Sequence, residues 1–401
     1  TEYWTWSVFL IILLCLGFWH NHTYQNLMSK DIFNILDINT LIKQGIVAPN
    51  KVFFQLIYWI TLFFIFILSL NASYQKKFKH RFVIYFFIFV SLLCIYGLLV
   101  YFNGNKAILW VEKKYYLHDL TATFINRNSF AIFASCGFMS GLYLVHKQYL
   151  SFMRNRKHSY SLFQVINLIE FYFSARVFYI IGLLIILTAI ILTHSRSGIF
   201  FTLIATMLYF VYAHSIHRKK SHRRKNSRFI LFSVIGFFIA SPIVLYSFLE
   251  RLTYTFKDLF IRFEIYAICI EMIKDKPFIG YGLGNFQYAF QYYRNEYINM
   301  AFYWDKAHST FLEMTVELGI PAMMCILFAY GIIIIRLLKH YMMHRDRLTL
   351  LYLIILAILI CHSFIDFSLQ MPAIAILFHI ILAAGYQQAT ENINHRLKYG
   401  A

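Results

Sequence analysis

Charge is scarce in this chain: only 14% of its 401 residues are Asp, Glu, Lys or Arg, where a soluble globular domain carries roughly 25%. Acidic residues are scarcest, 18 against 37 Lys and Arg. Cysteine is sparse as well. Its six copies, at 15, 94, 136, 269, 325 and 361, are scattered, mostly in apolar runs. Without a CxxC pair or a Cys/His ligand spacing they read as core or lipid-facing residues, neither a disulfide framework nor a metal site. There is no Asp-x-Asp pair to carry a metal-bound nucleotide sugar, no HExxH and no GxSxG. No array of acids lies inside the apolar runs, as an ion-coupled transporter would usually show. No Gly/Ser linker, low-complexity tract or repeat divides the sequence, so residues 1–401 read as one domain.

Apolar sequence is abundant instead, with 60% hydrophobic and 20% aromatic residues. Runs of about 20 apolar residues match a hydrocarbon core of about 30 Å. About ten are visible, at 3–19, 52–71, 81–102, 128–146, 177–193, 197–214, 229–249, 319–338, 348–365 and 372–386. They are long and unbroken, unlike the short alternating strands of a membrane barrel. The fold class expected is therefore all-α, a polytopic transmembrane helical bundle. The start at Thr1 rather than Met implies an internal beginning with further spans upstream.

The net charge of +19 invites a nucleic-acid reading, which its distribution argues against. KKFKHR (76–81), RNRK (154–157), HRKKSHRRKNSR (217–228) and RLLKHYMMHRDR (336–347) fall in alternate loops. Together with the two ends, that side carries 22 basic and 4 acidic residues; the opposite side carries 15 and 14. This asymmetry is the positive-inside pattern, with membrane lipids and no nucleic acid as the partner of the basic loops. The near-neutral side, facing away from the cytoplasm, then receives 20–50, 103–127, 194–196, 250–318 and 366–371. A reaction there has no ATP or nucleotide sugar, so its substrate must arrive already activated.

The long polar segment 250–318 is the expected seat of chemistry. Within it 262–273 shows helical spacing through Phe263, Tyr266, Ala267, Ile270 and Ile273, ended by Pro277 and Gly280, Gly282 and Gly284. GYGLGNF (280–286) follows no strand and reads as a tight turn allowing close backbone approach. The aromatics of 286–304 suit an interfacial belt slightly better than a sugar-stacking surface. Arg196 sits in THSRSG between two spans, where an anion would offset its cost. Arg262 opens the outer helix, with Asp258 and Glu264 as neutralising alternatives. Two converging guanidinium forks suit a pyrophosphate. His308, in WDKAHSTFLEMTVELG, has the ionisation range of a base for a hydroxyl, and nearby Asp305 is a candidate to orient it. Glu313 and Glu317 read as packing or helix-end partners. Asn126, Arg127 and Asn128 either bind sugar or phosphate or cap a helix starting at Asn128.

Four of these pieces in order, TFINRNSFA (123–131), THSRSG (193–198), RFEIYAICIEMIKDKPFIGYGLGNF (262–286) and WDKAHSTFLEMTVELGIPA (304–322), resemble the bacterial O-antigen ligase/polymerase superfamily. The resemblance covers roughly residues 80–340. It implies a GT-C-like, metal-independent and cofactor-free glycosyltransferase of the inner membrane with its active site on the periplasmic side. Its partners would be an undecaprenyl-pyrophosphate-linked glycan donor and an acceptor sugar, on lipid A core or a growing glycan. It also implies that Arg196 and Arg262 hold the pyrophosphate while His308 activates the acceptor hydroxyl, with Asn126, Arg127, Asn128, Asp305 and Ser309 about the substrate. The family commonly places Asn after this His; here Ser309 follows. Ligation onto core is favoured over polymerisation. A transporter of lipid-linked glycan, or a non-catalytic assembly partner, is the alternative from another class.

Overall fold

The computed structural model of the protein describes residues 49–155, 175–215, 252–295, 298 and 304–399. They form ten α-helices: α1 (Pro49–Ala72), α2 (Lys76–Phe102), α3 (Arg127–Asn155), α4 (Ala175–Leu192), α5 (Arg196–Ser215), α6 (Leu252–Asp275), α7 (Phe286–Tyr293), α8 (Thr310–His344), α9 (Arg347–Ser363) and α10 (Pro372–Tyr399). A two-stranded hairpin, β1 (Ala107–Ile108) and β2 (Val111–Glu112), follows α2. Pro49 and Pro372 stand at first helical positions, where the missing N–H costs nothing.

Six of the ten expected spans appear as helices long and apolar enough to cross a membrane, within α1, α2, α3, α5, α8 and α10. Those at 177–193 and 348–365 appear as shorter apolar helices. The runs at 3–19 and 229–249 lie outside the described residues. This is a helical, multi-pass membrane protein.

The chain divides into two compact units. In one, Leu70–Arg251 with Ile334–His362 and the residues from Ala383, helices α2 to α5 pack together. Glycines set their spacing: a Cβ on Gly141 would stand 2.3 Å from the Phe87 ring, and one on Gly198 would stand 2.4 Å from Ala131. Small residues of this kind let helices approach where lipid supplies no hydrophobic drive. Ser135 and Thr202 then meet at 2.5 Å, one hydroxyl donating to the other, which in turn donates to a carbonyl four residues back.

The other unit comprises Leu252–Ile333, Ser363–Leu382 and the described residues up to Ser69. Its core forms where α6, α7 and the start of α8 bury Ile265, Ile268, Cys269, Met272, Phe286, Phe290 and Val316. The sequence reading of α6 finds the helix but begins it ten residues late: the helix starts at Leu252, so Arg262 lies inside it and does not open it. Phe263 and Ile270 are 66% and 46% exposed, and the buried ridge runs through Ile265, Ile268, Cys269 and Met272. Helical spacing alone cannot choose between faces when both are apolar. The aromatic belt is corrected in part: Phe286, Tyr288 and Phe290 are buried, with the Phe286 and Phe290 rings stacked at 5.1 Å, while Tyr292 is exposed and Tyr297, Phe302 and Tyr303 lie outside the described residues. Phe286 and Phe290, four apart on one short amphipathic helix, share a face and pack inward.

Helix α8 is broken at Gly319 (φ 77°, ψ 166°), just before Pro321. The turn at 277–286 locks into that break. Tyr281 N–H donates to Val316 C=O at 3.0 Å, Gly282 N–H to Glu317 C=O at 2.8 Å, and Ile320 N–H to Pro277 C=O at 2.8 Å. A Cβ on Gly280 would lie 2.4 Å from the Glu317 carbonyl, and one on Gly319 2.4 Å from that of Phe278. Both glycines have left-handed backbone, and no side chain fits at either.

Candidate active site

Arg262 and Tyr266 stand four residues apart on α6 and so share a face. Both reach the segment that follows α9: Arg262 donates from Nη1 to the Ile365 carbonyl and Tyr266 Oη to that of Phe364 at 3.5 Å. Tyr266 also donates to the His308 carbonyl at 2.9 Å. Burial pushes the Tyr266 phenol above its ordinary range, with the Arg262 charge opposing, so the hydroxyl stays protonated as the donor. Among the described residues no carboxylate pairs with Arg262, so Glu264 does not neutralise it. The Asp258 side chain lies outside the described residues.

His308 sits in left-handed backbone (φ 53°) at the entry to α8, a conformation His visits more readily than most residues and still at a cost. Its hold comes from both sides. Before it, Glu313 accepts from Lys306 Nζ at 3.0 Å and from the Ala307 N–H at 2.8 Å. Burial would favour loss of the Lys306 proton, but the Glu313, Asp305 and Glu317 carboxylates outweigh it and raise the pKa. After it, Ser309 caps α8 by accepting from Leu312 N–H at 3.4 Å, and Thr310 donates twice to the Asp366 carbonyl, both at 3.3 Å. Glu317 accepts from the Phe286 N–H at 3.2 Å. Both glutamates are therefore structural partners.

The His308 ring lies edge-on to Trp304 and Phe367, with centroids at 6.1 and 5.5 Å. Its Nδ1 makes no hydrogen bond and lies 3.8 Å from Asp366 Oδ1, beyond hydrogen-bond reach and within ionic range. The carboxylate facing His308 is thus Asp366, whose Oδ1 also accepts from the Phe367 N–H at 2.8 Å. With a proton on Nδ1 facing Asp366, Nε2 carries the lone pair of a base. Sequence reasoning missed Asp366 and Tyr266. The available signal was a single acid, in HSFIDFSL, at a turn assigned to the same side as 250–318.

Asp305, expected to orient His308, instead supports the Lys306 charge; the candidates Asn126, Arg127, Asn128 and Arg196 gather in the other unit, at the starts of α3 and α5. Asn126 accepts from the N–H groups of Asn128 and Ser129 at 2.7 and 3.2 Å, so it caps α3. Arg127 pairs with Asp119 at 2.9 Å and lies over the Tyr116 ring. Asp119 also holds His194 Nδ1 at 2.9 Å. Ser195 donates to Asn128 Oδ1 at 2.8 Å and accepts from the Gly198 N–H at 3.2 Å, which caps α5. Arg196, half-buried, is the first residue of α5. A cation at a helix start adds to the positive end of the helix dipole and leaves a field that favours an anion. Asp119 and His194 went unnoticed because neither carries a motif. Among the described residues no three His, Cys, Asp or Glu side chains converge as metal ligands.

Structure thus brings Arg262 and His308 to one segment, 364–366, while Arg196, Arg127, Asn126 and Asn128 form a second group. Residues 181–327 match a family described as O-Antigen ligase. Over those residues the chain is similar to O-antigen ligases. That match contains Arg196, Arg262 and His308, leaves out 126–128 and Asp366, and spans just over a third of the sequence. No curated protein matches the chain. The match and the apolar helices agree on a multi-pass membrane protein.

Proposed function

We propose that this chain is a membrane glycosyltransferase that moves a glycan from undecaprenyl pyrophosphate to an acceptor sugar hydroxyl, as an O-antigen ligase acting on lipid A core. The observation that carries the reading is the presence in one unit of an imidazole, set against a buried carboxylate, and a guanidinium that no carboxylate among the described residues neutralises, His308 and Arg262. Both lie within the stretch that matches the O-antigen ligase family. The activity belongs on the periplasmic side of the inner membrane, where the donor arrives already activated and no nucleotide is needed.

In the reaction the acceptor hydroxyl attacks the anomeric carbon of the donor glycan. His308 Nε2 takes the hydroxyl proton, and Asp366 stabilises the imidazolium that forms. The bond between the anomeric carbon and the pyrophosphate oxygen breaks, and the electron pair leaves with undecaprenyl pyrophosphate. Arg262 stabilises the charge developing on that leaving group; electrostatic help of this kind supplies several kcal/mol. Arg196 is the second pyrophosphate ligand in this proposal, on its chemistry and its position at the start of α5. Arg127 is partly committed to Asp119, and the Asn126 and Ser309 oxygens already accept capping bonds, so these three support the substrate indirectly.

The test supplies lipid-linked glycan with and without lipid A core and follows product size. A single addition that requires core is the expected result. A ladder that grows without core reassigns the chain to polymerisation. A His308→Ala variant that inserts normally is expected to lose transfer by about 10²–10⁴-fold; near-normal transfer by that variant removes the base.

A further inference from the structure

The hairpin that follows α2 places two large apolar residues at its tip. Ala107 pairs with Glu112 and Ile108 with Val111, and the Lys113 N–H extends the ladder to the Lys106 carbonyl at 2.9 Å. Leu109 and Trp110 therefore form the two-residue turn, 48% and 67% exposed. A water-facing tip would ordinarily carry Asn, Asp or Gly. Leu109 instead adopts left-handed backbone at φ 55°.

What the tip faces is indicated by a single bond. The Leu109 N–H donates to the Tyr96 hydroxyl at 2.6 Å. Tyr96 belongs to the membrane-spanning part of α2, which ends at Phe102. Six residues at 1.5 Å place its Cα about 9 Å before that end, and side chains on a helix lean toward its N-terminus. The chain leaves the span at Phe102 and the hairpin folds back beside its last two turns. Next to this contact α2 shows an apolar outer face, with Leu99 67% and Phe102 75% exposed. A groove of about 310 Å³ lined by Ile95, Leu98, Leu99, Phe102 and Asn103 continues that face. The base of the hairpin is different: Lys106 and Lys114 are exposed, while Lys113 turns inward to Asn105 Oδ1 at 3.0 Å and the Asp119 carbonyl at 2.7 Å.

We propose that residues 106–114 form a re-entrant anchor that docks into the lipid leaflet at the end of α2. Leu109 and Trp110 sit in the boundary between headgroups and acyl chains, and Lys106 and Lys114 meet anionic lipid phosphates. The Tyr96 hydroxyl supplies the partner that a peptide N–H needs once water is excluded. Lipid is the occupant because the tip is continuous with the lipid face of a span and carries aliphatic as well as aromatic surface. The inference rests on α2 crossing the membrane and is independent of the glycosyl-transfer proposal.

The full chain is reconstituted in nanodiscs of zwitterionic lipid, with or without phosphatidylglycerol. Because the sequence holds 6 Trp, the Trp110 signal is taken as the difference between wild type and Trp110→Phe. Lipids brominated near the headgroup end of the acyl chain are expected to quench most of that difference signal, and aqueous acrylamide little of it. Tyr96→Phe, which keeps the ring and removes the hydroxyl, is expected to weaken the bromolipid quenching. Adding phosphatidylglycerol is expected to strengthen it in wild type and not in Lys106→Gln/Lys114→Gln. Full acrylamide quenching with none from bromolipid overturns the proposal. So does quenching relieved by soluble oligosaccharide, which would make the tip a sugar platform. Equal quenching with and without phosphatidylglycerol overturns the role of the lysines.

Discussion

His308 and Asp366 stand 58 positions apart in sequence and 3.8 Å apart at their nearest polar atoms. Thr310 links their segments, donating to the Asp366 carbonyl through both its N–H and its hydroxyl. Tyr266 adds the third support, holding the His308 carbonyl at 2.9 Å. Tyr266→Phe removes the one phenolic proton, shared between the His308 and Phe364 carbonyls, and leaves the ring packed, so a stability loss of about 1 kcal/mol is expected. Its larger effect is expected on transfer, because a loosened left-handed residue misplaces the imidazole; denaturation in detergent and kcat for glycan transfer separate the two. At Arg262 and Arg196 the expectation concerns shape as well as charge. Lys keeps the charge and loses the planar fork, so Arg262→Lys and Arg196→Lys are both expected to impair transfer, and full activity of both variants removes the pyrophosphate clamp.

At the scale of elements, the junction between the 277–286 turn and the break in α8 positions the site. The turn meets α8 through three backbone bonds and two glycines in left-handed conformation. Gly280→Ala places a Cβ 2.4 Å from a backbone carbonyl that cannot rotate away, in a backbone region that Ala disfavours. A loss of about 1–3 kcal/mol is expected, read as a lower Tm in detergent, with a fall in transfer as the start of α8 shifts. That GYGLGNF makes a tight turn and not a phosphate loop was legible from its context, since no strand precedes it. Which carbonyls it would meet was not, because Val316 and Glu317 lie more than 30 positions away. The face of α6 was illegible for a different reason. Apolar residues occupy both Phe263/Ile270 and Ile265/Ile268/Met272, and only packing against α7 and α8 selects the second set. Asn126 shows the reverse case: a cap one residue ahead of a helix is local chemistry, and its reading from sequence misses by a single position.

For the whole molecule, sidedness is the quantity on which the proposed chemistry depends. The charge pattern assigns the basic loops to one side of the alternating spans and the 250–318 segment to the other, an expectation that labelling tests. Single cysteines placed at exposed positions, such as Ile279→Cys in that segment and Met343→Cys near the end of α8, in a variant lacking the native cysteines, test it directly. A membrane-impermeant thiol reagent added to intact inner-membrane spheroplasts is expected to label the first and spare the second; the opposite pattern ends the periplasmic assignment.

Composition and periodicity by themselves determined a helical multi-pass membrane protein, the places of its apolar helices, and the short sequence patches in which Arg196, Arg262 and His308 occur. Those are properties of runs of neighbouring residues, set by the thickness of a bilayer and the cost of charge within it. Tertiary structure alone decided that Asp366 faces His308, that Tyr266 holds its backbone, and that Asp119 joins Arg127 to His194. These partners are brought together by chain closure over 8 to 75 positions, a selection among many carbonyls and carboxylates that local sequence does not distinguish.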